Sequence, residues 1–284
     1  MTLEPVIEKV LNTNRLNSKK AWKWVIPTGS RNKTKINGLH YCPLCIATKP
    51  SYFRKSWRLS WSIACPEHKL LLLNKCTCCD MSISPHLASY LKTDITRCIS
   101  CGFELSQAKQ LSVDSDAFWL QELMTNALLN INEVVLPIEI NEHVELFDAI
   151  HFLMVFFQNS LKNLQPYKLL HEHLNLNSLE NHHTPSSGIR IEARVYLERH
   201  YLMIAVARLL KLTLPEIISL FTKIGITQQM FMISRTNSNI ISKINNSLPD
   251  NRKLKHASYP PKAIIKARSI EEVDLLMTEI LPHL

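Results

Sequence analysis

All eight cysteines of the 284-residue chain fall between Cys42 and Cys101. With His68 they make four half-sites: Cys42-x-x-Cys45, Cys65-x-x-His68, Cys76-x-x-Cys79 and Cys98-x-x-Cys101. A two-residue spacer lets one tight turn aim two side chains at a single ion, and a later segment brings the second pair. Four half-sites therefore predict two complete tetrahedral sets, the pattern of structural zinc. Nearest neighbours assign Cys42, Cys45, Cys65 and His68 to the first ion. Cys76, Cys79, Cys98 and Cys101 take the second, and Cys78, which lacks the two-residue spacing, is left as a free thiol.

Other cysteine chemistries fit less well. A disulfide framework suits a secreted chain, whereas Met1–Ile26 carries Glu4, Glu8 and several basic residues and has no apolar core of the kind a signal peptide needs. Iron–sulfur clusters call for four thiolates, which Cys65-Pro66-Glu67-His68 does not offer. A zinc deaminase needs His-x-Glu before its Cys pair, and none precedes Cys42. Both sets are full, so no open position is left for catalysis. The expected cofactors are two structural zinc ions, in a protein that is not an enzyme.

Trp57, Leu59, Trp61 and Ile63 alternate with Ser56, Arg58, Ser60 and Ser62, the period of a half-buried strand, and Leu70–Leu73 adds a second apolar run. That is a zinc-ribbon layout, in which metal replaces much of a core too small to hold alone. After Asp114 the period turns helical. Apolar residues recur at i, i+3, i+4 over 116–131 and 142–162, with Asn141 as an N-cap for the second. A polar connection carrying His171, His173, His182 and His183 is expected over 164–188, then a long helix from Arg190 to Lys211. Thr213 caps a helix that stops near Gly225, and Thr227 caps another. This pair over 213–236 resembles a helix-turn-helix, with Gln228, Gln229 and Arg235 facing outward.

The fold class expected is mainly α with small zinc-ribbon β elements. Its parts are a basic tandem zinc module over 1–110, a helical domain over 111–250, and a basic link with a terminal helix over 251–284. Ser269 to Glu272 has capping-box spacing for that last helix. The most apolar stretch is interrupted by Asp148 and His151, so no uncharged run is long enough to span a bilayer. A cytoplasmic chain is expected.

Charge is unevenly spread. Residues 1–110 hold 17 Lys/Arg against 6 Asp/Glu, a net +11, and the remaining 16 against 18 give −2, summing to the +9 of the whole chain. A polyanion partner suits the first part. Arg54, Lys55 and Arg58, flanked by tryptophans, are the candidate phosphate contacts.

The run Tyr41-Cys-Pro-Leu-Cys45, then Arg54, Lys55, Trp57, Arg58 and Trp61, then Cys65-Pro-Glu-His68 with its leucines, Cys76-x-x-Cys79 and Cys98-Ile-Ser-Cys-Gly102 resembles the TniQ/TnsD family of transposon target-selection proteins. The resemblance covers roughly residues 40–105 in detail. It implies a bacterial, non-catalytic adaptor that helps choose a DNA insertion site by reading DNA or by docking on a CRISPR RNA-guided complex. Such an adaptor recruits an AAA+ ATPase and through it the transposase, and a homodimer is among the assemblies allowed. The short leader and short C-terminal region look more like the type that borrows its specificity. The competing reading is a zinc-ribbon, helix-turn-helix transcription regulator, which needs no ATPase partner.

Overall fold

The helical period after Asp114 becomes a bundle, whereas the alternation before it does not become a sheet. A computed structural model describes residues 24–26, 39–85, 94–129, 136–138, 140, 143–162, 164–176, 190–233 and 236–250. The helices are α1 (Pro43–Ala47), α2 (Ser115–Leu129), α3 (His143–Ser160), α4 (Gln165–His173), α5 (Tyr196–Leu210), α6 (Leu214–Ile224), α7 (Gln228–Phe231) and α8 (Asn239–Ser247). Residues up to Pro249 form one compact unit and Asp250–Leu284 another. The expected basic link and Ser269 capping box lie outside the described residues, as do Asn141, His182 and His183.

α5 is buried on nearly every side, with Leu202, Met203, Ile204, Ala205, Val206 and Ala207 all inside. A helix apolar all round belongs at the centre, and α2 and α3 pack directly against it. Phe152 and Phe156 of α3 meet Phe231 of α7 edge-on, each at 5.2 Å between ring centres, and Phe221 of α6 closes the cluster at 5.5 Å from Phe231. Offset ring pairs of this kind add about 0.5–1.5 kcal/mol each beyond their buried area.

Four expectations change. Among the described residues, pairing in the cysteine-rich region is confined to isolated bridges such as Tyr41 with Leu73 and Ala64 with Leu71. Lys55–Arg58 is a 3-10 turn rather than strand. The reason is a divided core: Trp57 packs with the cysteine cluster, while Leu59, Trp61 and Ile63 pack with the helices. One straight strand would put all four on one face, so the chain must bend between them. Second, 165–173 is helix, because Tyr167, Leu170 and His171 form a buried stripe. Third, the helix expected from Arg190 starts at Tyr196, after a 3-10 turn at Ile191–Ala193 that carries Glu192 inward.

The fourth concerns the helix pair. Thr213 and Glu216 form the capping box, Gly225 ends α6 at φ 83°, and Thr227 caps α7. α7, however, has only four residues. Gln228, expected to face outward, donates its Nε2 to the Leu248 carbonyl at 3.0 Å and ties α7 to the end of α8. Gln229 is exposed, and Arg235 lies outside the described residues.

The segment Trp24–Ile26 runs beside Leu59, with Ile26 N–H donating to Arg58 O and Ser60 N–H to Trp24 O, both at 2.9 Å. Glu192, 2% exposed, accepts the Trp24 N–H at 3.0 Å and lies 3.4 Å from His151 Nε2. Burial alone would raise the Glu192 pKa; the His151 and Trp24 contacts outweigh it and hold it at about 2. A depressed carboxylate pKa contributes stability that is present above its ordinary value and is lost as pH falls toward 2. Glu192→Gln should therefore cost about 3 kcal/mol near neutrality and little near pH 2, read as denaturant midpoints of both proteins at matched pH. An equal deficit at both ends would show that the carboxylate charge is not what holds residue 24.

Candidate metal centres

Three of the four half-sites are the same closed turn. The Cys65, Cys76 and Cys98 carbonyls accept from the N–H four residues on, Lys69 at 2.8 Å, Asp80 at 2.9 Å and Gly102 at 2.8 Å. Their own N–H groups donate to the carbonyl five residues on, Leu70 at 2.8 Å, Met81 at 2.9 Å and Phe103 at 2.8 Å. The fourth residue is left-handed each time, with φ of 50°, 55° and 75°. Only Gly102 adopts that region freely; Lys69 and Asp80 do so at roughly 1 kcal/mol or more. The remaining half-site is helical: Pro43 opens α1, and Ile46 N–H closes on Cys42 O at 3.0 Å.

These turns bring together the two sets expected from the spacing. The ligand atoms of Cys42, Cys45, Cys65 and His68 all lie within 4.8 Å of one another, and so do those of Cys76, Cys79, Cys98 and Cys101. His68 Nδ1 stands 3.6 Å from Cys42 Sγ, 3.4 Å from Cys45 Sγ and 3.4 Å from Cys65 Sγ. In the second set Cys76 and Cys101 are 3.7 Å apart, as are Cys79 and Cys98. A tetrahedron with bonds of about 2.3 Å to sulfur and about 2.0 Å to nitrogen has edges of about 3.8 Å between sulfurs and about 3.5 Å from sulfur to nitrogen. The observed edges have that size, so the residues fit zinc.

Electrostatics points the same way. Contact with Cys42 lowers the pKa of the Cys65 thiol, and the same contact raises that of Cys42. Sulfurs this close cannot all ionise unless a cation sits among them. The surrounding core is small: Tyr41, Ile46, Trp57, Leu72, Leu73 and Leu105 close over the sulfurs. Cys78 is exposed and belongs to neither set.

The candidate phosphate contacts separate. Arg54 Nη1 pairs with Glu67 Oε1 at 2.7 Å, and its Nη2 reaches Cys45 Sγ at 3.7 Å. Its guanidinium lies over the Tyr52 and Trp57 rings, 5.8 Å from each centre. Arg54 therefore faces the first metal set, Lys55 is exposed, and Arg58 is half-buried. Trp57 and Trp61 are buried, at 1% and 2% exposure, which is core packing rather than a stacking surface. Eight Lys/Arg and four Asp/Glu of residues 1–110 are described, and all four acids pair with Arg54, Lys75 or Arg97.

Sequence reasoning missed three buried polar residues that seat this region on the helices. Gln121 of α2 accepts the Ile63 and Ala64 N–H groups at 2.7 and 2.9 Å and donates to the Ala64 carbonyl at 2.9 Å. Arg199 of α5 donates to Ser60 O at 2.7 Å and lies 2.9 Å from His40 Nε2. Glu192 is the third. Each sits at a position that periodicity assigns to an apolar or surface face.

Fold and site together define a helix-rich chain whose cysteine-rich part presents two four-ligand sets suited to metal ions. Residues 1–72 match the family model for TniQ, and the match covers no more of the chain than that. The match contains the first ligand set and ends before Cys76. No curated protein and no solved structure matches the chain.

The purified chain should carry two zinc ions by elemental analysis. Cys42→Ser and Cys98→Ser should each remove one ion and lower the thermal midpoint, because ligand binding and folding are coupled. A wild-type content of one ion or none would refute the paired tetrahedral assignment.

Proposed function

We propose that this chain is a zinc-stabilised target-selection adaptor of DNA transposition. The observation that carries the reading is the TniQ match over residues 1–72, which spans the Trp24–Ile26 anchor and the whole first ligand set. In this reading the two zinc ions are structural, and no residue acts as a catalyst. The chain links a target-recognition module, DNA or a CRISPR RNA-guided complex, to an AAA+ ATPase and so to the transposase. It works in the bacterial cytoplasm, as a monomer or a homodimer. Among the described residues no helix is long and apolar enough to cross a membrane, in keeping with a partner set of proteins and nucleic acid.

Its DNA contacts are weak and independent of sequence, with specificity borrowed from a partner. Arg54, Lys55 and Arg58 are the proposed phosphate contacts. Lys55 is exposed, and Arg54 also pairs with Glu67. Gln229 and Arg235 remain proposed contacts from the helix pair, while the side chain of Gln228 is occupied by Leu248 O. The competing transcription-regulator reading needs a helix long enough to lie in a major groove. Four residues at about 1.5 Å each make α7 about one turn, which disfavours it.

Replacing Lys55 and Arg58 together with alanine should flatten the salt dependence of DNA association by up to about 0.9 for each phosphate no longer neutralised. An unchanged slope in a chain that keeps its zinc would show both to be solvated surface only. The function itself is tested in a reconstituted insertion assay with the AAA+ ATPase and transposase proposed as its partners, scored by where the DNA lands. Omitting the chain should abolish targeting while both partners keep their own activities. Targeted insertion at full efficiency without it would overturn the adaptor reading.

A further inference from the structure

The two ligand sets place the same chemistry in opposite settings. In the first, Cys42, Cys45 and Cys65 are 0%, 8% and 0% exposed. Three thiolates, a neutral imidazole and Zn²⁺ sum to −1, and Arg54 brings the opposite charge to Cys45 at 3.7 Å. Glu67 holds that guanidinium from one side, and the Trp57 and Tyr52 rings flank it. The cation is oriented before any metal exchange begins.

In the second set four thiolates and Zn²⁺ sum to −2. The cations that precede its ligands in sequence are turned elsewhere: Lys75 pairs with Asp80 at 2.7 Å, and Arg97 pairs with Asp94 at 3.4 Å and Glu104 at 3.0 Å. Backbone amides face its sulfurs, from Cys78 and Cys79 onto Cys76, from Ser100 and Cys101 onto Cys98, and from Met81 onto Cys79. Amide dipoles soften the repulsion without cancelling the charge. Cys76 and Cys98 are buried, but Cys101 is exposed and Cys79 half-buried, whereas in the first set only His68 is half-buried, so water or a chelator has the readier approach to the second ion.

Loss of zinc from a thiolate site starts when an incoming ligand displaces one sulfur, and a buried sulfur that already accepts a charged hydrogen bond resists displacement. We infer that the two metal sites differ in exchange: the Cys76, Cys79, Cys98 and Cys101 ion is the exchangeable one, and Arg54 is a positioning residue that locks the first ion through Cys45. The inference rests on the zinc reading and extends it. The locked set lies inside the stretch that matches TniQ, and the exchangeable set lies beyond it. This chain can therefore surrender one metal, and the order of the turns that hold it, while the matched stretch stays folded.

The test uses the full chain with both ions, kept free of oxygen, and a chromogenic zinc chelator as the probe. Release should occur in two phases of about one ion each, differing in rate by about tenfold or more. Protein recovered after the fast phase should show, by zinc X-ray absorption, three sulfurs and one nitrogen around the ion it keeps. Arg54→Met should speed the slow phase by about tenfold and leave the fast phase unchanged. A single phase, a retained ion with four sulfurs, or an unaltered slow phase in Arg54→Met would each overturn the inference. Fewer than two ions in the starting protein would overturn the zinc reading itself, and that is seen before any chelator is added.

Discussion

Convergence of four half-sites on two points is the constraint from which the cysteine-rich region takes its shape. Among the described residues this region has isolated bridges and no strand ladder, so repeated backbone pairing does not hold it. Its apolar core is a handful of residues set around the sulfurs themselves. Two of the turns hold Lys69 and Asp80 in a left-handed conformation that side-chain-bearing residues avoid. Such turns persist only where something over-determines them, and a cation bound by four ligands would do so, since its binding free energy would be folding free energy for the segments it joins. Without an ion most of these thiols stay protonated, and no strong bond links the turns to one another.

That constraint fixes the region internally but does not seat it on the helices. Seating depends on a few buried polar side chains reaching from helices to irregular backbone. An irregular segment inside a protein carries N–H and C=O groups that no ladder satisfies, and each costs about 1–3 kcal/mol if left unpaired. Gln121 answers for Ile63 and Ala64, Arg199 for Ser60, and Glu192 for Trp24. Arg199 is the most exacting of the three. Burial pulls its pKa down to about 9, with the Glu192 charge opposing the fall. Burial also keeps His40 neutral, and the charge of Arg199 adds to that effect, so the His40 Nε2 lone pair can accept from the guanidinium. A hydrophobic replacement at 199 would leave the Ser60 carbonyl and His40 stranded.

The helices and the ligand sets were legible because each depends on local spacing. A stripe at i, i+3, i+4 reports burial on one side, and x-x between ligands reports a turn. The strand expected through Trp57 to Ile63 failed because alternation is informative only when one face is dry and the other wet. Ser60 and Ser62 are buried as well, and the four apolar residues serve two cores. The histidine-bearing stretch near 171 looked like a loop because its polar residues outnumber the apolar ones, yet Ser160 and Tyr201 accommodate His171 inside. Glu192, Arg199 and Gln121 left no trace in the pattern, since the backbone groups they satisfy at Trp24, Ser60 and Ala64 lie 57 to 168 residues away. No window along the sequence contains both ends of such a bond.

The end of the TniQ match at residue 72 gives these joints a functional sense. The matched stretch holds the first ligand set, the tryptophan anchor at 24 and the Ser60 carbonyl, but none of the side chains that answer them. Glu192 and Arg199 are supplied from the helical part and Gln121 from α2, so the matched stretch depends for its seating on residues outside itself. Truncation after residue 72 would remove every one of those donors and acceptors, together with the Leu111 carbonyl that receives Leu71 N–H at 2.8 Å. The family-like stretch thus carries its own ligand set and is oriented by side chains from the helices behind it. The proposed adaptor role would use that division of labour, because a bridging protein transmits geometry only if the face it offers one partner is rigidly tied to the face it offers the other.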